Sequence, residues 1–180
     1  RTISVKTVPV FLNRKRVAKA YITSDNFWFI ETNKVLRKSF YCSLSLENVA
    51  FYDSSKKLLA VSYLSYLSGS VGAYSDLVYT STCLAAGESG IFHGIPGEDI
   101  YDATKITIGR FSGLKGAKPA PLRVIPKSYR TSGFYKAPIV KVKNMKAKKT
   151  YLTGWTSYLL DGDGKPIDWG YGYELIDIKK

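Results

Sequence analysis

Residues 38–67 read KSFYCSLSLENVAFYDSSKKLLAVSYLSYL. In the first half, Phe40, Cys42, Leu44 and Leu46 share one parity. A period of two places such a set on one face of an extended chain, so the segment reads as a half-buried strand. The small and basic residues SSKK at 54–57 supply a turn, and LLAVSYLSYL at 58–67 returns as a second strand. The stretch is therefore a β-hairpin.

The same period runs through the rest of the chain. TISVKTVPVFL and RVAKAYIT flank the basic turn NRKR, FWFI is a short apolar run, and TKITIGRF sets Ile106 and Ile108 on one face. Strand formers, including 14 tyrosines, dominate, and sustained helical periodicity is missing. With 45% hydrophobic and 23% charged residues, the 180-residue chain has enough apolar material for a folded core. No apolar run approaches the roughly 18–20 residues of a membrane-spanning helix. Residues 112–138 hold four of the seven prolines. Proline cannot donate to a sheet ladder, so this part reads as a connection with an edge segment. The expected organisation is a β-sandwich domain over 1–115, a basic connection over 116–135 and a smaller β unit over 136–180.

A hairpin of the same kind recurs. FYDSSKKLLA at 51–60 and LLDGDGKPID at 159–168 share an apolar strand end, an Asp, small residues and a Lys, 108 residues apart. Asp161 and Asp163 in the second copy also resemble the start of a calcium loop. A loop of the EF-hand kind needs an oxygen ligand at position 5 and Gly at position 6. Here those positions hold Lys165 and Pro166. The reading is a hairpin turn, with Gly162 and Gly164 supplying left-handed residues and no metal.

VAFYDSSKKLLA followed by LAAGESGIF resembles the FxLYD family of secreted or lipid-anchored bacterial modules. Phe51, Tyr52 and Asp53 match the strand end of its motif. Leu84, Gly87, Glu88 and Phe92 match the later element, with Ala86 where proline is usual. The second copy matches through Val142 to Asn144, Leu159 and Asp161, with Leu160 in place of Tyr. The resemblance implies an immunoglobulin-like β-sandwich and an extracytoplasmic address, and no reaction. The chain begins at Arg1 and its only Met is Met145, which fits a mature form whose leader has been removed.

Charge points to partners. The net charge is +13, and residues 105–149 carry thirteen basic and no acidic residues. Such a block attracts polyanions. Its densest run, KVKNMKAKK, holds Lys141, Lys143, Lys146, Lys148 and Lys149. Lysine acts as a point charge, not a bidentate fork, which suits anionic cell-wall polymers, polysaccharides or lipid headgroups. In DWGYGYEL, Trp169, Tyr171 and Tyr173 lie two apart, and with Trp155 they form an aromatic set that could stack on a sugar or fill a core.

Catalytic signals are thin. His93 is the only histidine, and Glu98, Asp99 and Asp102 sit in an acidic Pro-Gly turn, PGEDIYD. No phosphate-cradling glycine motif is present, so no nucleotide is expected. Cys42 and Cys83 form a candidate disulfide outside any C-x-x-C pattern. The expectation is an all-β, immunoglobulin-like, non-enzymatic binding or structural module, extracellular or at the cell surface, without cofactor. Its basic face takes anionic polymers or headgroups. The alternatives are a carbohydrate-binding or adhesin-type module using the aromatic face, and a nucleic-acid binder.

Overall fold

The computed structural model describes residues 2–31, 41–68, 90–115, 122–132, 135–145 and 150–178. The protein is all-β, and among the described residues there is no helix. Seven strands form one curled sheet: β1 (Val5–Leu12), β2 (Lys15–Thr23), β3 (Trp28–Glu31), β4 (Tyr41–Tyr52), β5 (Leu58–Ser68), β6 (Ile91–Gly94) and β7 (Lys105–Lys115). Their order is β1-β2-β3-β6-β5-β4-β7, and the sheet closes as a barrel where β1 runs parallel to β7. Two further two-stranded sheets follow: β8 (Leu122–Ser132) with β9 (Tyr135–Asn144), and β10 (Thr150–Leu160) with β11 (Pro166–Ile178). An all-β chain with one large sheet around a core and further small sheets is the fold class expected of the sequence. Here the layers are joined by continuous strand pairing around the barrel.

Turn chemistry sets the hairpins. Asn13 (φ 49°) and Arg14 (φ 65°) are the two central residues between Leu12 and Lys15, which pair. Two left-handed residues in a two-residue loop match the twist of the flanking strands. The loops 53–57 and 161–165 are built alike. Asp53 N donates to Lys57 O at 3.0 Å and Asp161 N donates to Lys165 O at 2.8 Å. Asp53 Oδ1 accepts from Ser55 N (2.8 Å), Ser55 Oγ (2.7 Å) and Lys57 N (2.9 Å). Asp161 Oδ1 accepts from Asp163 N (2.9 Å) and Lys165 N (2.8 Å). The fourth residue is left-handed in both, Lys56 at φ 68° and Gly164 at φ 78°. Of the two glycines expected to be left-handed, only Gly164 is.

The core lies inside the barrel. Val8, Val10, Ala20, Ile22, Trp28, Ile30, Leu44, Leu46, Val49, Phe51, Phe92, Ile106 and Ile108 are buried in one cluster. Burying each of the larger side chains stabilises the fold by roughly 1.5–3 kcal/mol. Trp28 packs on Phe51 with ring centroids 5.8 Å apart. Trp28 pairs with Gly94, where a Cβ would come within 2.7 Å of the indole ring. Glycine on β6 thus makes the space for the indole. The Trp28 Nε1 finds no acceptor among the described residues, so ring burial is what holds the side chain there.

Residues 95–104 bring Ile100 and Ala103 into the same core. They are tied down by Ile100 N donating to Asn26 Oδ1 (3.1 Å) and Thr104 N donating to Tyr52 O (2.8 Å).

Strand β4 changes face part-way. Leu44 and Leu46 point inward, then Val49 and Phe51 do. Between them Asn48 is exposed with φ 53°. A single left-handed residue reverses the alternation without moving the pairing register, which is the same on both sides against β5 and β7. On β7, Ile106 and Ile108 are buried, and the next core contact is Phe111. Gly109 lies at the crossing, where a Cβ would sit 2.9 Å from Asn48 Cβ.

The chain divides into two compact units. One comprises Arg1–Ser70, Ser81–Ala117 and Thr156–Tyr171; the other comprises Val71–Thr80, Lys118–Trp155 and Gly172–Lys180. Residues 156–171, placed by the sequence reading in the smaller C-terminal unit, group with the barrel. Residues 122–132, read as part of a connection, form strand β8. Its Pro126 sits at a register irregularity in a two-stranded sheet, one of the places where a strand tolerates proline.

Candidate functional site

The basic block lies mainly on the β8–β9 ribbon. In β9, Lys141 and Lys143 are exposed while the intervening Val142 is half-buried. Alternation therefore puts Lys141 and Lys143 on the more open face of the strand, beside the exposed Ile139. The two lysines are about 6.7 Å apart along the strand, two residues of rise. Register places Ile125 opposite Lys141 and Arg123 opposite Lys143. The second pair sets two cationic residues at directly opposed positions, an arrangement that disfavours the sheet unless an anion lies between them. Pro126 pairs with Val140 and Ser128 with Ile139, so Lys127 is the extra residue of a bulge. A bulge re-aims a side chain, and Lys127 is exposed. Lys146, Lys148 and Lys149 lie outside the described residues.

The density of the basic block singles out Lys141 and Lys143 in the sequence, and does not single out Lys127. Its signal was Pro126, because a proline inside a strand marks an edge or a bulge.

The aromatic set is placed differently. On the outer side of the barrel, Phe29 pairs with His93 across β3 and β6. The β10–β11 hairpin covers both. Tyr158 meets Phe29 edge-on at 6.0 Å and His93 edge-on at 5.9 Å. Trp169 lies on the imidazole with centroids 3.8 Å apart. Tyr158 Oη donates to Ile91 O at 3.4 Å and stands 3.3 Å from His93 Nδ1. Burial lowers the His93 pKa from its ordinary 6.5 to about 4. This histidine is a packing partner in the folded protein. The side chains of Trp155, Tyr171 and Tyr173 lie outside the described set.

The remaining sequence candidates resolve into local structure. Asp99 Oδ1 accepts from Tyr101 N at 3.0 Å, and Glu98, Asp99 and Asp102 are all exposed. Asp161 directs Oδ1 at two backbone N–H groups of its own turn, while Asp163 is 3.7 Å from Lys165 Nζ. The donor geometry at Asp161 is that of a turn. Cys83 and the Cys42 side chain fall outside the described residues, and so does the proposed bridge.

Two further cations are held against the barrel. Lys19 Nζ sits 3.3 Å from Glu31 and 5.5 Å from the Tyr21 ring, and its pKa is raised, first by the contact with Tyr21 and then by Glu31. Lys6 lies over Tyr101 at 5.1 Å, and burial lowers its pKa against the pull of Asp102 and Asp99. Both are engaged within the barrel, in contrast to the open lysines of β9.

Comparison with known proteins finds no matching family model, no matching curated protein and no matching solved structure.

Proposed function

We propose that the protein is a non-catalytic binding module, extracellular or at the cell surface, whose β8–β9 ribbon takes anionic polymers or headgroups. The observation that supports this is the open row of Lys141 and Lys143 with exposed Lys127, at the centre of a block without a single acid. The FxLYD resemblance supports the extracytoplasmic address and an immunoglobulin-like fold. Of its motif residues, Phe51 and Phe92 lie in the core and Asp53 in the turn, while Leu84, Gly87 and Glu88 lie outside the described residues. The aromatic alternative is less favoured, because one face of Trp169 is stacked on His93.

The test is a salt-titrated binding assay against anionic vesicles and an anionic polymer. Each lysine near an anionic surface contributes about 1 kcal/mol at physiological salt. Four or five together give an affinity of roughly 0.2–1 mM. Replacing Lys141, Lys143, Lys146, Lys148 and Lys149 by Gln is expected to abolish binding. Retention of parental binding at low salt would reduce the basic block to a solvated face. Salt-insensitive binding of a neutral polysaccharide would favour the aromatic alternative.

A further inference from the structure

We infer that the cationic face of the β8–β9 ribbon docks in the major groove of B-form DNA, held by phosphates on both walls and without sequence selection. This rests on the polyanion reading above and narrows it to one polymer. Three features carry it.

The first is width. β8 and β9 make a sheet of two strands. Paired strands lie about 4.8 Å apart. The major groove of B-form DNA, about 12 Å wide, admits a two-stranded ribbon.

The second is the placement of charge across that width. Exposed cations lie on both strands, Lys127 on β8 and Lys141 and Lys143 on β9. A ribbon in a groove meets a row of phosphates on each side, so cations on both strands have partners.

The third is chemistry. The described cations of the open face are lysines, which neutralise phosphates but lack the planar fork that reads guanine edges. Val142 is half-buried on the opposite side, so the groove-facing side does not depend on it. Binding is therefore governed by counterion release and shape.

The experiment compares the full-length protein on four probes by fluorescence anisotropy or competition: a short DNA duplex, an RNA duplex of the same length and sequence, heparin and anionic vesicles. A-form RNA has a deep, narrow major groove that does not admit the ribbon. Tighter binding of the DNA duplex than of the RNA duplex is expected. Each phosphate contact contributes about 0.9 to the slope of log K against log salt. The variant Lys127→Gln/Lys141→Gln/Lys143→Gln should flatten that slope by roughly 2 to 3. The charge-matched variant Lys15→Gln/Arg16→Gln/Lys57→Gln, altered at exposed barrel positions, should leave it unchanged. Equal affinity for the two duplexes, or equal flattening in the two variants, would overturn the groove. Binding of heparin or vesicles without DNA binding would overturn the inference and leave the polyanion reading standing. Failure on all four probes removes both.

Discussion

Asn48 shows how one side chain redirects a strand. The sequence pattern of Phe40, Cys42, Leu44 and Leu46 is a clean alternation, and its continuation would put Asn48 in the core. Asn tolerates the left-handed region better than most residues, and it takes that region here, so Val49 and Phe51 become the inward pair. Gly109 gives it room. Gly109→Ala is expected to cost about 1–3 kcal/mol, because its Cβ would press on Asn48 Cβ at 2.9 Å and on Glu47 O at 3.3 Å. In an Asn48→Gly background most of that loss should disappear. A double-mutant cycle by urea unfolding measures the coupling, and additive losses would separate the two positions. The twin turns offer a second check. A left-handed conformation costs a residue with a side chain about 1–2 kcal/mol, partly offset by the entropy of glycine. Lys56→Gly should therefore stabilise by about 0.5 kcal/mol and Gly164→Lys should destabilise by about 1 kcal/mol. If both exchanges are neutral, the left-handed geometry is not shared.

At the scale of elements, the hairpins were legible and their neighbours were not. Alternation and turn residues located β4–β5, the NRKR turn and the repeated Asp turn, because these depend on residues close in sequence. The aromatic spacing around Trp169 was visible too, but the partner of Trp169 is His93, 76 positions earlier, and no local pattern encodes that contact. The contact has a pH signature. His93 in the folded protein has a pKa of about 4, below its ordinary 6.5. Between these values the unfolded chain takes up a proton that the folded protein refuses. The contribution is therefore complete above about pH 6.5 and is lost as pH falls toward 4. Unfolding midpoints measured from pH 7.5 down to 4.5 should decline, and His93→Gln should flatten the decline. An identical decline in the variant would assign it to other groups.

Across the whole molecule, an all-β chain with a large unit and smaller β structure could be read from period and composition. Barrel closure could not. It depends on Val10, Phe11 and Leu12 meeting Ile106, Thr107 and Ile108, and two strands far apart in sequence carry no mark of being parallel neighbours. Closure gives each of the seven strands a neighbour on both sides for at least part of its length, while β8 and β9 among the described residues pair only with each other. Amide exchange should reflect this, with slow exchange at core strand positions such as Ile22, Ile30 and Val49 and faster exchange along β8 and β9. Uniform protection of both would show that the ribbon is stabilised as strongly as the barrel.

The parallel seam also fixes an order of events during biosynthesis. Val10 and its partner Ile106 are separated by 96 residues. As the polypeptide emerges from the ribosome, β1 can zip onto β2 at once, but its other flank stays open until β7 has been made. High contact order of this kind slows folding and prolongs the exposure of unpaired strand to neighbouring nascent chains. The three-residue seam thus waits for β7, and the β10–β11 hairpin that covers Phe29 and His93 is made later still.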